Sequence, residues 1–459
     1  MAEKTLAEII ADFTMDLSLD SVPNDVLEHA KRLILDTLGV ALVACETEPA
    51  TIVRDVVVRM DSKPESTLWG TDKKASMADA VLANGTLIHG MEFDDTHVGG
   101  IVHPSGVVVN TAITVGEAVG ASGKDILAAA ICGYEILIRL GLATKGRFHM
   151  RGFQTTGVMG SFVASCIAAR LLKLPKKDLV NALGICGSQA AALMEFSRDG
   201  TWPKKLHAGW PSHCGIYSVL LAEKGFTGPR TIFEGETGIW KSHVGDTEGL
   251  MEAFEDLGEV WLTTEVISKM YPVCHYIASF IDITLALREE YGLTADMIDR
   301  IECRVDPLEA LTIVQPIEAK RRPPSDNAMR YSLPYCIAMA IEKGKVGHQE
   351  ISPNYLNNPV LEGLMDRVDC IIDENAAVPG HFPGDVKIIL KNGKEYHRVQ
   401  RTETGSAENP LDPNKVIEKF RDNAGLFFSE DKVEKLVQTL SKFEELTKVD
   451  DLIADLKII

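Results

Sequence analysis

Positive charge is what this chain is short of. Its 459 residues carry 47 lysines and arginines against 66 aspartates and glutamates, a formal net charge of −19. That deficit argues against nucleic acid or an anionic membrane as a partner, since both call for a basic face. It leaves a small acidic ligand open, because a local cluster of Lys, Arg and His still makes a positive pocket. Paired cysteines are also missing. The nine cysteines stand singly with no CxxC, which fits reduced, buried thiols and a cytoplasmic location. The opening residues MAEKTLAEIIADF bring in acids early and lack the apolar core of a secretory signal. No uninterrupted apolar run approaches the ~18 residues a membrane helix needs, so no membrane is expected as a partner. No GxGxxG follows a strand, and neither a Walker motif, HExxH nor GxSxG occurs. Nucleotide binding is left without support.

What is present is enough for a large core. Apolar residues make up 45% and charged ones 25%, and the length suits two or three domains. Helical spacing dominates the first 260 residues. Pro23-Asn24-Asp25 opens a helix whose apolar positions Val26, Leu27, Ala30, Leu33, Ile34 and Leu38 follow the 3.6-residue period. Ser122 and Asp125 stand where an N-cap and a first-turn acid belong. Residues 155–172 and 175–193 are rich in Ala, Gly, Ser and Cys, which predicts closely approaching helices rather than a phosphate loop. The composition changes near Tyr271-Pro272. A helix over 278–291 is followed by an alternating, strand-like run over 298–305, and Asn392-Gly393 between two apolar alternations is a hairpin signal. Residues 410–459 return to amphipathic helices that are expected to pack back onto the first domain. The expected fold is mainly α: a helical domain from 1–268 plus 406–459, with an α+β domain inserted at 269–405.

The chemistry concentrates in Asn84 to Gly106, NGTLIHGMEFDDTHVGGIVHPSG. His89, Glu92, Asp94, Asp95, Thr96, His97 and His103 stand there between two apolar helices. Burying such a patch is costly unless its groups are paired or used. A solvated loop and a metal site with Asp and His ligands compete with a catalytic reading. Four other stretches gather polar residues. Gln154, Thr155 and Thr156 open a helix whose free N–H groups attract anions, though N-capping by a threonine explains them as well. Lys204, Lys205 and His207 lie in a glycine-bounded turn, where a solvated face is the usual meaning of a lysine pair. Lys269 and His275 fall at the proposed domain boundary, and Tyr335 opens a helix in the second domain. Cys214 and Cys274 each have a histidine nearby, as a thiol nucleophile does, but singly spaced buried cysteines are the commoner arrangement.

Taken in order, HGMEFDDTH…HPSG, RGFQTTGVMG, TWPKKLHAG, KMYPVCH and RYSLPY resemble the MmgE/PrpD family over nearly the whole chain. The resemblance implies a helical domain built from both chain ends, an inserted α+β domain, a homodimer, and no metal or organic cofactor. It also implies a site between the domains for small di- or tricarboxylates. Residue by residue, it makes His103, Lys204, Lys269, His275 and Tyr335 candidate catalytic groups. Glu92 stands where decarboxylase members carry an aspartate. Asp94, Asp95, Thr96, His97, Gln154, Thr155, Thr156, Lys205 and His207 become candidate substrate contacts. One position departs: many members read RGFHPTG where this chain has Gln154, and a glutamine cannot exchange protons near neutral pH.

The family's shared chemistry is proton removal or addition next to a carboxylate. Donors and cations placed where charge develops lower that barrier. Lys204 and Lys269 are expected to supply the field, or a base if neighbouring cations lower a lysine. His103 is expected to protonate a departing hydroxyl. Three functions compete: a lyase of the 2-methylcitrate dehydratase type, an isomerase of the iminodisuccinate epimerase type, and a catalytically silent carboxylate binder. A cis-aconitate-type decarboxylase stands beside them as a further alternative.

Overall fold

Several helices start where a side chain satisfies free backbone N–H groups. The computed structural model describes residues 4–199, 201–378 and 380–458. Thr5 caps the helix Leu6–Asp16 and Ser122 caps Gly123–Thr144, each in a capping box closed by an acid three residues on. The fold is mainly α. The chain forms two compact units, one running to Ser268 and resuming at Pro413, the other Lys269–Asp412.

The first unit is helical apart from a two-residue hairpin, Ser66–Thr67 with Lys74–Ala75. Its core helix is Gly123–Thr144. By length and composition this helix is able to cross a membrane, which the sequence reading did not anticipate, yet 94% of its apolar window is buried inside the unit. Glu135 and Arg139 interrupt its apolar run, and both are buried and hydrogen-bonded. The Glu135 carboxylate accepts from the N–H groups of Leu262 at 3.1 Å and Thr263 at 2.8 Å, and Arg139 donates to Val260 O at 2.7 Å. They clamp the irregular segment leading to Ser268 onto the core. Around this helix pack Ser105–Val119 and Thr155–Leu171, and Gly209–Glu223 lies on the latter. The small residues have a physical reason: a Cβ at Gly215 would lie 2.5 Å from Ser161 O, so only glycine permits that approach.

The helix Pro413–Ala424, where the chain returns to the first unit, lies on Asn24–Ala44. Phe420 fills the space over Gly39, and Lys419 makes a buried ion pair with Asp36 at 2.7 Å. The Lys419 ammonium also donates to Phe93 O at 3.0 Å, so the end of the chain holds the polar stretch 84–106 from behind.

The second unit wraps helices around a four-stranded sheet in the order Val368–Ile372, Ile298–Val305, Gly384–Leu390, Glu395–Gln400. Along Ile298–Val305 the residues Ile298, Ile301, Cys303 and Val305 are buried against Phe280, Ile281, Ile337 and Met339. Each such large side chain contributes about 1.5–3 kcal/mol by leaving water. The hairpin forms where Asn392-Gly393 signalled it, but the loop spans three residues, 391–393, with Leu390 N donating to Lys394 O at 2.8 Å. Gly393 has φ 82° while Asn392 does not share a positive φ, so the tight two-residue form is not adopted. The parallel strand Val368–Ile372, paired Ile301 to Val368, was not foreseen. Its sequence VDCII is short, and its partner lies far back in the chain.

Candidate active site

The helix Met77–His89 ends at Gly90, and the chain runs irregularly until Ser105 restarts a helix. Glu92, Asp94, Asp95, Thr96 and His97 are all buried, which removes the solvated-loop reading. Each is paired. Asp94 Oδ2 accepts from His89 Nδ1 at 2.7 Å. Asp95 accepts from Ser105 N at 3.0 Å and from the Ser105 hydroxyl, which also meets the Tyr134 hydroxyl. Burial, with Asp94 and Asp36 nearby, pushes the Asp95 carboxyl up to about 7, against the pull of its Ser105 hydrogen bonds. His97 accepts from Gly100 N at 2.9 Å through Nδ1 and meets Glu265 at 3.1 Å through Nε2. Its ring is therefore taken up in shaping the loop. Among the described residues no group of three or more His, Cys, Asp and Glu side chains is arranged to hold a metal.

His103 is half-buried at the entry to the helix Ser105–Val119, with its N–H donating to Thr156 Oγ1 at 2.9 Å. Its Nδ1 lies 3.0 Å from Asp95 O and 3.1 Å from Thr96 Oγ1. A carbonyl oxygen only accepts, so Nδ1 carries the proton, and in the neutral ring Nε2 holds the lone pair. That is the form of a base, whereas the sequence reading gave this ring the role of acid.

Glu92 adopts φ 54°, a left-handed conformation that costs a glutamate about 1–3 kcal/mol and is kept only where surroundings over-determine it. The surroundings here include Lys204, whose ammonium lies 2.5 Å from Glu92 Oε2. Lys204 comes from the short turn Pro203–Leu206, 112 residues away in sequence. A carboxylate in contact favours the ammonium form, so the geometry makes Lys204 a fixed cation and not the free base considered from sequence. Lys205 donates to Gly90 O, so neither lysine is part of a solvated face. Gly200, in the same glycine-bounded stretch, lies outside the described residues.

At the start of Thr155–Leu171 the cap is Gln154, whose Oε1 accepts from Gly157 N at 2.8 Å. This corrects the expectation of a threonine cap. Thr155 meets His149 Nδ1 at 3.2 Å and Thr156 holds the His103 backbone, so both hydroxyls position imidazoles. Burial lowers His149 to about 4 and His207 to about 3, with Lys204 adding to both and His89 to the latter. His207 packs edge-on against Phe196, and its Nδ1 is buried without a hydrogen-bond partner among the described residues.

In the second unit Lys269 and His275 are buried. Burial, and then Lys269, lowers His275 to about 3, and its Nδ1 has no hydrogen-bond partner among the described residues. Tyr335 is fully buried and donates its hydroxyl proton to Glu350 O at 2.7 Å, a core-stabilising bond. Cys214 is pushed up to about 11 by burial, which removes it as a thiolate nucleophile. Sequence reasoning named His89 but gave it no role, and it missed Ser105, Tyr134 and Lys419. The five-residue step from His89 to Asp94 across a helix end was the one available signal.

Comparison with known proteins agrees with these motifs. The MmgE/PrpD N-terminal domain model matches residues 8–249 and the C-terminal domain model residues 271–444. Cis-aconitate decarboxylase of Homo sapiens is 27% identical over 97% of this chain and 93% of its own length. Cis-aconitate decarboxylase of Aspergillus terreus is 23% identical over 98% and 96%. The 2-methylcitrate dehydratase-like protein oryR of Aspergillus oryzae is 23% identical over 96% and 94%. With two family models spanning almost its whole length and the family motifs paired in its structure, the chain belongs to the MmgE/PrpD family.

Proposed function

We propose that this protein is a lyase of the 2-methylcitrate dehydratase type, acting on a small di- or tricarboxylate without metal or organic cofactor. The observation that supports this best is the pairing of two opposite functions in one unit. His103 is held with its proton on Nδ1 and a lone pair on Nε2, and Lys204 is held as a cation by Glu92. Elimination needs such a set: a base for the proton next to the carboxylate, and a positive donor where negative charge develops. In this reading His103 Nε2 takes the carbon-bound proton and passes it to the hydroxyl as the C–O bond breaks, so that water leaves, while the Lys204 ammonium faces the carboxylate. Relatives that are named decarboxylases and a dehydratase-like protein support a lyase-type role.

A second reading, decarboxylation, draws on the names of those decarboxylase relatives. Against it stands Gln154, which replaces a histidine of many family members and is engaged as a helix cap. NMR of the protein with a panel of hydroxylated and unsaturated tricarboxylates in deuterated water separates the cases. Loss of water is expected. Deuterium exchange with inversion alone points to an epimerase, and release of CO2 points to a decarboxylase. His103→Ala is expected to lower the rate by ~10² to 10⁴ while circular dichroism stays unchanged. Near-normal turnover in that variant removes His103 from the mechanism.

We also propose a homodimer. Trp210, Tyr217 and Leu221 along the helix Gly209–Glu223, and Ile52 and Val56 along Glu48–Arg59, are exposed, and monomers rarely leave such apolar stripes uncovered. Light scattering at micromolar concentration tests this, and a monomer mass refutes it.

A further inference from the structure

His89 is the last residue of the helix Met77–His89 and is fully buried. Its Nδ1 lies 2.7 Å from Asp94 Oδ2, so a carboxylate fixes the ring and assigns the proton to Nδ1. The other nitrogen, Nε2, is buried and has no hydrogen-bond partner among the described residues. A polar atom left in that condition usually has a use that the resting protein does not show.

The ring of His89 lies 5.2 Å from that of His103, centroid to centroid. His207, from the turn that also carries Lys204, is close enough for His89 to act on it electrostatically, and it too presents an unpartnered nitrogen. The groups near His89 are thus Asp94 from its own loop, His103 at the next helix entry, and His207 from the turn. Behind Asp94 lie Asp95 and Asp36, the latter neutralised by Lys419 at 2.7 Å.

We propose that the Asp94–His89 pair is the proton-accepting carboxylate receptor of this site: His89 takes a proton from solvent when a polycarboxylate binds, and its Nε2–H then meets a substrate carboxylate. The inference rests on the lyase reading above for its substrate class. The balance is simple. One proton leaves the buffer, binds Nε2, and returns to the buffer when the anion departs. Asp94 stabilises the imidazolium from one side and the incoming carboxylate from the other. His149 and His207 suit that task less. Among the described residues neither has a carboxylate on its ring, and burial holds both well below the usual histidine range.

The test is calorimetry with propane-1,2,3-tricarboxylate, which has no hydroxyl to lose, at pH 7.5 in buffers of different ionisation enthalpy. The wild-type protein is expected to take up close to one proton for each molecule bound. His89→Gln is expected to bind at least tenfold more weakly with uptake near zero. Asp94→Asn keeps an acceptor for Nδ1 but removes the charge, and it is also expected to lose the uptake, which covers the case in which His89→Gln does not fold. His207→Gln is expected to retain it. Binding without proton uptake in the wild type overturns the proposal and leaves the lyase reading standing. Uptake that persists in His89→Gln does the same, and so does uptake that disappears in His103→Gln alone. Failure of any tricarboxylate to bind overturns both.

Discussion

Replacing Glu92 by glutamine isolates the contact that gives the proposed site its fixed cation. The side chains of Glu92 and Lys204 are 6% and 14% exposed, so the pair is largely out of water. Removing one partner of such a pair leaves an uncompensated charge and costs about 3–5 kcal/mol, and the partial exposure of Lys204 favours the lower end. About 3 kcal/mol lowers the unfolding midpoint of a unit this large by ~4–5 °C. Lys204→Met should cost a comparable amount by stranding Glu92. The double variant should cost clearly less than the sum, because neither charge is then left alone, and a coupling of about 2 kcal/mol is expected. The assay is thermal unfolding of the four proteins, repeated with a tricarboxylate. Added anion should stabilise Glu92→Gln more than the wild type, since a substrate carboxylate takes over the missing partner. Strict additivity, to within ~0.5 kcal/mol, refutes the view that this pair holds the site, and equal stabilisation by the anion refutes the placement of Lys204 at the carboxylate.

Other expectations are more compact. Gln154→His removes a helix-capping carbonyl and should cost about 1 kcal/mol in stability. If the family histidine is what permits decarboxylation, this variant should release measurable CO2 from cis-aconitate, and no release shows that the residue does not decide the reaction. Glu309 is buried, and burial, then Asp306 and Glu403, push its carboxyl up to about 8. Its native form holds the proton more tightly than the unfolded chain, so the associated stability is present below the ordinary value of 4.5 and falls as pH rises towards 8. Each unit of that shift is worth about 1.4 kcal/mol. Glu309→Gln should therefore gain on the wild type between pH 5 and pH 8.5 in thermal unfolding, and a pH-independent difference contradicts the assignment. Activity should survive exhaustive chelation. Loss with EDTA, restored by a divalent ion, reopens a metal reading of Asp94, Asp95 and His97.

Much of this protein was readable before any coordinate. Periodic apolar positions and capping residues are local signals, and they marked the helices Gly123–Thr144 and Ala278–Tyr291 and the strand Ile298–Val305. The concentration of polar residues between two apolar helices pointed to 84–106, and the ordered motifs pointed to the family. Local signals stop where a partner lies far away in the chain. Nothing near Glu92 announces Lys204, 112 residues on, and nothing near Phe93 announces Lys419, 326 residues on. The charge state of Lys204, the tautomer of His103 and the unpartnered nitrogen of His89 depend on which carboxylate or carbonyl the fold sets beside each ring or ammonium. Sequence alone determined which groups are available for proton transfer. Only the tertiary structure decided which of them hold a proton, because burial and a neighbour's charge, not residue identity, set the free energy of a charged side chain.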